Sequence, residues 1–157
     1  MQWTPLFVYG SLRPGQCNYG ELSQAVRRAT SARVGGWLRL RPEGYPALTL
    51  APGWPCQIGA PPGHWPTLPQ QAAGGPFSWD VEGEVLDLDW TPELGQRLDE
   101  FEGFTELNPD YVRVALWTST GWAWTYVAPQ DVPEWPQVEG WPPGHPIRPW
   151  VPHQRRE

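Results

Sequence analysis

The sequence predicts an α+β domain: a small mixed-sheet, β-barrel-like core carrying two short helices. Strand-like runs dominate the chain, and helical periodicity occurs in two short places. The length, 157 residues, suits one compact domain with a core of its own.

The first strand is expected over 3–9, followed by a turn-rich loop, Gly-Ser-Leu-Arg-Pro-Gly-Gln, at 10–16. A helix is expected from Asn18 to Arg28, because Leu22, Ala25, Val26 and Ala29 fall at i, i+3, i+4 and i+7. A strand over 32–41 is interrupted at Gly35-Gly36, which marks a bulge or sharp bend. A turn and short strand follow at 44–50. From Ala51 to Asp80 the pattern gives way to Pro, Gly and Trp, an excursion longer than compact domains ordinarily carry. Val81–Asp89 is the next strand. Thr91-Pro92-Glu93 opens the second helix with a cap, a first-turn proline and an acidic residue at the positive helix end. Leu94, Leu98 and Phe101 form its apolar stripe, and Gly103 ends it. Strands Tyr111–Trp117 and Trp122–Val127 flank a tight turn at Ser119-Thr120-Gly121. The Pro/Trp-rich remainder, 129–157, is expected to pack on or trail the domain formed by 1–128. No internal repeat occurs.

Composition excludes several classes. The formal net charge is −6, with 18% charged residues and no basic stripe, so neither nucleic acid nor an anionic membrane is an expected partner. No apolar run approaches the roughly 20 residues of a membrane helix. The N-terminal segment does not read as a secretory signal. Cys17 and Cys56 show no metal spacing, and a reduced, cytoplasmic setting is expected. His64, His145 and His153 are too scattered to form a metal site, and Arg155-Arg156 reads as a solvated tail. The 21 Pro and 17 Gly would point to disorder, but 12 Trp argue for a folded core with stiff, irregular loops.

Two features carry chemistry. On a helical wheel Glu102 lies about 40° from Leu98, at the border of the apolar stripe, whereas Glu100 points away. Partial burial and the negative helix end both raise a carboxyl pKa, which suits a base near neutral pH. The plainer alternative is a solvated helix-terminal Glu. The second feature is Tyr9-Gly10-Ser11-Leu12, where a strand ends and leaves backbone N–H groups for an anion or oxyanion, or makes an ordinary turn. Ser11 lacks the glycines of a nucleophile elbow, since Tyr9 and Arg13 flank it.

Taken together, the motifs are more specific. Phe-Val-Tyr-Gly-Ser-Leu-Arg-Pro-Gly-Gln-Cys-Asn at 7–18 resembles the opening of the gamma-glutamylcyclotransferase-like (AIG2-like) family. Gly44-Tyr45-Pro46-Ala47-Leu48, Val81–Leu88, Leu98-Asp99-Glu100-Phe101-Glu102-Gly103, Tyr111-Val112-Arg113 and Trp124–Val127 resemble its later segments, in order, over 5–128. The resemblance implies that fold and a reaction that releases 5-oxoproline from a gamma-glutamyl substrate. The substrate's α-amine attacks its own γ-carbonyl, and Glu102 serves as general acid and base. Tyr9, Gly10, Ser11 and Leu12 would bind the glutamyl end, with Tyr111 and Tyr126 lining the pocket. No metal and no cofactor are implied, and the partner is a small gamma-glutamyl molecule. Two other readings remain: a specialised gamma-glutamylated metabolite as substrate, or a non-catalytic binding module. The 51–80 excursion is longer than the family usually carries. It is expected to be ordered in part, to pack near the pocket mouth and to select substrate. The extension after 128 has no counterpart in the family pattern.

Overall fold

The computed structural model describes residues 3–57, 60–75, 77–130 and 132–138. His145, His153, Arg155 and Arg156, and with them most of the 129–157 extension, lie outside the described residues.

Strand β1 (Thr4–Val8) sits centrally in a six-stranded sheet. It pairs antiparallel with β6 (Val81–Leu88) and parallel with β8 (Gly121–Val127). Beyond β6 lies β2 (Val26–Val34). Beyond β8 come β7 (Val112–Thr118) and the two-residue β5 (Cys56–Gln57). A second sheet has the order β4 (Pro46–Leu50), β3 (Gly36–Leu40), β9 (Gln137–Val138). The helix α1 (Pro92–Phe101) completes the domain.

The pleat of the large sheet builds two apolar layers. Leu6, Leu86, Leu88, Trp124 and Tyr126 face α1, meeting Leu94, Leu98 and Phe101. Phe7, Val85, Val114, Leu116 and Ala123 face the second sheet, meeting Leu38 and Leu48. Both faces of the central strands are therefore covered, which explains their nearly continuous apolar sequences.

Two expectations change in detail. The Asn18–Arg28 helix is absent. Tyr19–Glu21 and Ser23–Ala25 form two short 3-10 turns, and β2 begins at Val26. Leu22 is buried as the stripe required, but from Val26 onward the backbone is claimed by the β6 ladder, where Val26 faces Leu88 and Ala29 faces Leu86. A single helical turn interrupted by Gly20 does not compete with nine residues of strand pairing. Among the described residues the domain thus carries one α-helix rather than two.

Nor does the sheet close into a true barrel. It curls until β2 meets the β7–β8 turn, where Arg33 N–H donates to Ser119 Oγ at 2.8 Å and Ser119 N–H donates to Arg33 O at 3.0 Å. The free edge of β7 is already occupied by β5, through the Cys56–Leu116 register, so no β2–β7 ladder forms. The short strands β5 and β9 have no signature in the sequence. Each has only two residues, too few for any period.

The bend at Gly35-Gly36 is where the chain leaves the large sheet for the small one. Gly36 has φ +142°, and a Cβ there would run into the Thr49 carbonyl. Gly44 also has positive φ, +95°, but faces open space. Replacing Gly44 by Ala is expected to cost about 1 kcal/mol, and Gly36→Ala about 3 kcal/mol, because only the second adds a backbone clash to the φ strain. Urea midpoints of the two variants measure the difference, and equal shifts would contradict it.

Candidate active site

Glu102 owes its position to the end of α1. Thr91 caps the start, its Oγ1 accepting from Leu94 N–H at 3.1 Å. At the other end Gly103, with φ +69°, closes a paired cap: Gly103 N–H donates to Glu100 O at 3.1 Å and Phe104 N–H to Asp99 O at 2.9 Å. Glu102 is the last right-handed residue before that reversal, and its side chain is turned inward, 8% exposed. Burial pushes its pKa from 4.5 up to about 8. Arg41 opposes the rise, and Asp110 and Asp99 add to it.

The loop after β1 is a series of tight turns. Arg13 N–H donates to Gly10 O, Gln16 N–H to Arg13 O, and Asn18 N–H to Ser11 O. Arg13, itself buried, forks onto Glu84 of β6 at 2.7 and 2.6 Å and pins the loop to the sheet. The N–H groups of Gly10, Ser11 and Leu12 donate to no backbone carbonyl among the described residues. Gly10 packs against Pro46, and a Cβ would stand 2.8 Å from Pro46 Cγ.

All seven residues singled out by sequence border one cleft: Glu102, Tyr9, Gly10, Ser11, Leu12, Tyr111 and Tyr126. It is a small cleft that opens to solvent, about 420 Å³ when the open space at its mouth is counted. Phe7, Val8, Tyr45, Pro46 and Thr125 complete the lining. The tyrosine hydroxyls are engaged in the wall itself. Tyr9 OH donates to Tyr126 O at 2.6 Å and accepts from Leu48 N–H at 3.2 Å. Tyr111 OH donates to Pro46 O at 2.8 Å, and Tyr126 OH to Asp99 Oδ1 at 2.8 Å. Burial raises the pKa of all three. They border the cleft and stay neutral. A larger groove, about 1760 Å³, passes Trp65, Trp90, Trp122 and Trp124, but its one lining carboxylate, Asp87, is paired with Arg28 at 2.7 Å. Glu102, in the smaller cleft, has no such ion pair among the described residues.

Behind the cleft, Asp99 is 2% exposed and its carboxylate is saturated. Oδ1 accepts from Tyr126 OH and from Arg113 Nε at 2.9 Å. Oδ2 accepts from Gly63 N–H at 2.8 Å, Trp65 Nε1 at 3.1 Å and Arg113 Nη2 at 3.1 Å. Arg113 is fully buried, its guanidinium 4.1 Å from the Trp65 ring and 5.0 Å from that of Trp124. The 51–80 excursion is therefore docked: Trp65 on this pair, and Trp54 through a 2.9 Å bond from Nε1 to Trp117 O and through ring contacts with Phe77 and Trp79. None of its described residues lines the cleft. The expected place near the pocket mouth is corrected to a place behind the pocket wall, because its anchor, Asp99, lies on the far side of Tyr126.

Sequence reasoning missed Asp99, Arg41, Asp110 and Arg113. Asp99 falls one turn before Glu102, and Gly95, on the same face, leaves room for Trp65 and Trp90. A glycine inside a helix was the available signal. Cys17 and Cys56 are free thiols, Cys17 exposed and Cys56 half-buried. No group of three potential metal ligands occurs among the described residues, and no described helix is long and apolar enough to cross a membrane.

This geometry can be set beside known proteins. Residues 6–60, which hold β1, the pinned loop and the Tyr45-Pro46 wall, match the family described as gamma-glutamyl cyclotransferase, AIG2-like. Over that third of the chain the sequence is similar to the AIG2-like family, and the match ends before α1 and Glu102. The structure of an AIG2-like protein from Mus musculus resembles it with TM-score 0.59 and 22% identity, over 99% of this chain and 100% of the other. YkqA from Bacillus subtilis gives 0.56 and 19%, over 89% of this chain and 40% of the other. The uncharacterized protein PH0828 from Pyrococcus horikoshii gives 0.51 and 18%, over 87% and 86%. At these identities the likeness is one of fold. Comparison with curated proteins yields no match.

Stability measurements test this site as a physical object. Glu102 binds its proton more tightly folded than unfolded, so its burial costs nothing below pH 4.5 and destabilises progressively as pH rises toward 8. Glu102→Gln is therefore expected to match the wild type near pH 4.5 and to exceed it in stability at pH 8–9, read as urea midpoints across pH. Asp99→Asn leaves Arg113 buried without its counter-charge and is expected to cost about 3–5 kcal/mol. Trp65→Phe, which removes one donor, should cost about 1 kcal/mol through that bond. Thermal unfolding of both variants checks the order.

Proposed function

We propose that this protein is a gamma-glutamyl cyclotransferase that releases 5-oxoproline from a gamma-glutamyl amine or small gamma-glutamyl peptide. The observation that carries the reading is the placement of Glu102. It is a buried carboxyl, without an ion-pair partner among the described residues and with a pKa of about 8, across one small cleft from the backbone N–H groups of Gly10, Ser11 and Leu12. A carboxyl of ordinary pKa would take a proton from an ammonium group poorly. One near 8 is matched to that transfer at neutral pH.

The proposed reaction needs no protein nucleophile. The backbone donors hold the glutamyl end, and confinement in the cleft favours a folded chain whose amine approaches its own γ-carbonyl. The Glu102 carboxylate takes a proton from the α-ammonium, and the freed amine forms the new C–N bond. Negative charge develops on the carbonyl oxygen, where backbone N–H donors are effective. The tetrahedral intermediate collapses and the original C–N bond breaks as Glu102 returns its proton to the departing nitrogen. The ring nitrogen still carries one excess proton, which Glu102 takes and passes to the released amine. The products are 5-oxoproline and an ammonium ion, and Glu102 ends as it began.

Glu102→Gln should lower 5-oxoproline release by about 10²–10⁴-fold, while Glu100→Gln, exposed on the opposite face, should be nearly silent. In the wild type, kcat/KM should climb with pH along a limb centred near 8, as the free-enzyme carboxyl loses its proton. A panel of gamma-glutamyl amines and dipeptides assayed for 5-oxoproline is the test. A Glu102→Gln variant with the wild-type rate would overturn the mechanism.

A further inference from the structure

Arg41 follows β3 and is 6% exposed, an uncommon burial for an arginine. It lies where three parts of the chain meet. Its own turn is closed by Arg41 N–H to Tyr45 O at 2.8 Å. Nη1 donates to Asp110 O at 2.8 Å, and Nη2 reaches Asp110 Oδ1 at 3.3 Å. Asp110 N–H in turn donates to Gly103 O, one residue from Glu102. The guanidinium carbon stands 5.0 Å from the Tyr111 ring, a wall of the cleft, and 5.0 Å from the Trp135 ring. Trp135 belongs to the described part of the 129–157 extension, residues 132–138. It is held there by Arg39 Nη1 to Trp135 O at 3.0 Å, by Leu40 N–H to Pro136 O at 2.7 Å, and by the β3–β9 pairing.

We infer that Arg41, clamped by Asp110, Tyr111 and Trp135, is a positioning residue that fixes the cleft wall beside Glu102 and supplies the cation its carboxylate needs. The charged and titratable groups facing Glu102 are Tyr9 at the end of β1, Arg41 after β3, Asp99 on α1, Asp110 and Tyr111 ahead of β7, and Tyr126 on β8. Arg41 is the cation among them that favours the charged form, and both aspartates oppose it. Glu43, 3.3 Å from Arg41, shares the guanidinium but leaves it beside the cleft. The 132–138 segment acts here through Trp135, whose ring covers Arg41 and keeps it out of water, where its field would be weakened.

The inference rests on the cyclotransferase reading for its activity arm only. Glu102 is titrated directly, by the carboxyl carbon resonance of glutamate-labelled protein, in the wild type, Arg41→Lys, Arg41→Met, Asp110→Asn and Arg41→Met/Asp110→Asn. The double variant removes both partners of the ion pair, so it folds if the single Met variant does not. Arg41→Met is expected to titrate about 1 unit higher than the wild type. Because Asp110 itself raises Glu102, the double variant is compared with Asp110→Asn alone and is expected to titrate above it. At pH 7 Arg41→Met should lose about tenfold in kcat/KM and recover toward alkaline pH, whereas Arg41→Lys stays near the wild type in both readouts. A folded Arg41→Met whose Glu102 titrates at the wild-type pH, or a double variant that titrates with Asp110→Asn, overturns the inference, whatever its activity. A wild type that releases no 5-oxoproline, but whose Glu102 midpoint still moves when Arg41 is replaced, overturns the proposed function and leaves the role of Arg41 standing.

Discussion

One buried carboxylate holds the halves of this molecule together. Asp99 links α1 to β7 through Arg113, to β8 through Tyr126 and to the Pro/Trp excursion through Gly63 and Trp65. A lone charge at that depth would cost many kcal/mol, and a charge so completely matched becomes a constraint on geometry. Everything that meets at Asp99 must arrive in register: the last turn of the helix, two neighbouring strands, and a loop from another part of the chain. The cleft is a by-product of that convergence, because Tyr126 is wall on one side and hydrogen-bond partner on the other.

Glu102 sits three residues further along the same helix and has the opposite character. Asp99 is saturated, whereas Glu102 is buried with no ion-pair partner among the described residues. The two carboxylates share a helix face and a depth, and they differ in what surrounds them. Arg113 and its neighbouring polar partners quiet the first. The second is left to burial, with Arg41 as a partial counterweight. A fold that keeps an uncompensated carboxyl in its interior gives up stability there, and such sites are more often functional than structural.

Much of this was legible in the sequence. Thr91-Pro92-Glu93 and Gly103 fixed both ends of α1 because capping chemistry is local. β6, β7 and β8 announced themselves by apolar runs and a tight turn, and the family motifs led to the seven residues that border the cleft. What was not legible depends on partners far away in sequence. Val26–Ala29 read as helix because their spacing fits one, and only the β6 ladder shows that they are strand. Arg41, Asp110 and Arg113 look like ordinary surface charges until the chain is folded. The Pro/Trp excursion betrayed its order through its tryptophans but not its destination, since nothing local tells Trp65 to find Asp99.

The hydroxyls of Tyr9, Tyr111 and Tyr126 are each spent on the protein's own backbone or on Asp99. What remains toward the cleft is neutral aromatic surface, and surface of that kind distinguishes ligands weakly, by about 1–3 kcal/mol for a methylene gained or lost. On the proposed reading the two ends of a substrate are judged by different standards. The glutamyl end meets directional N–H donors and is recognised strictly, while the departing end meets only shape. Such a division favours breadth: one enzyme accepting many amines, provided each carries the same glutamyl handle.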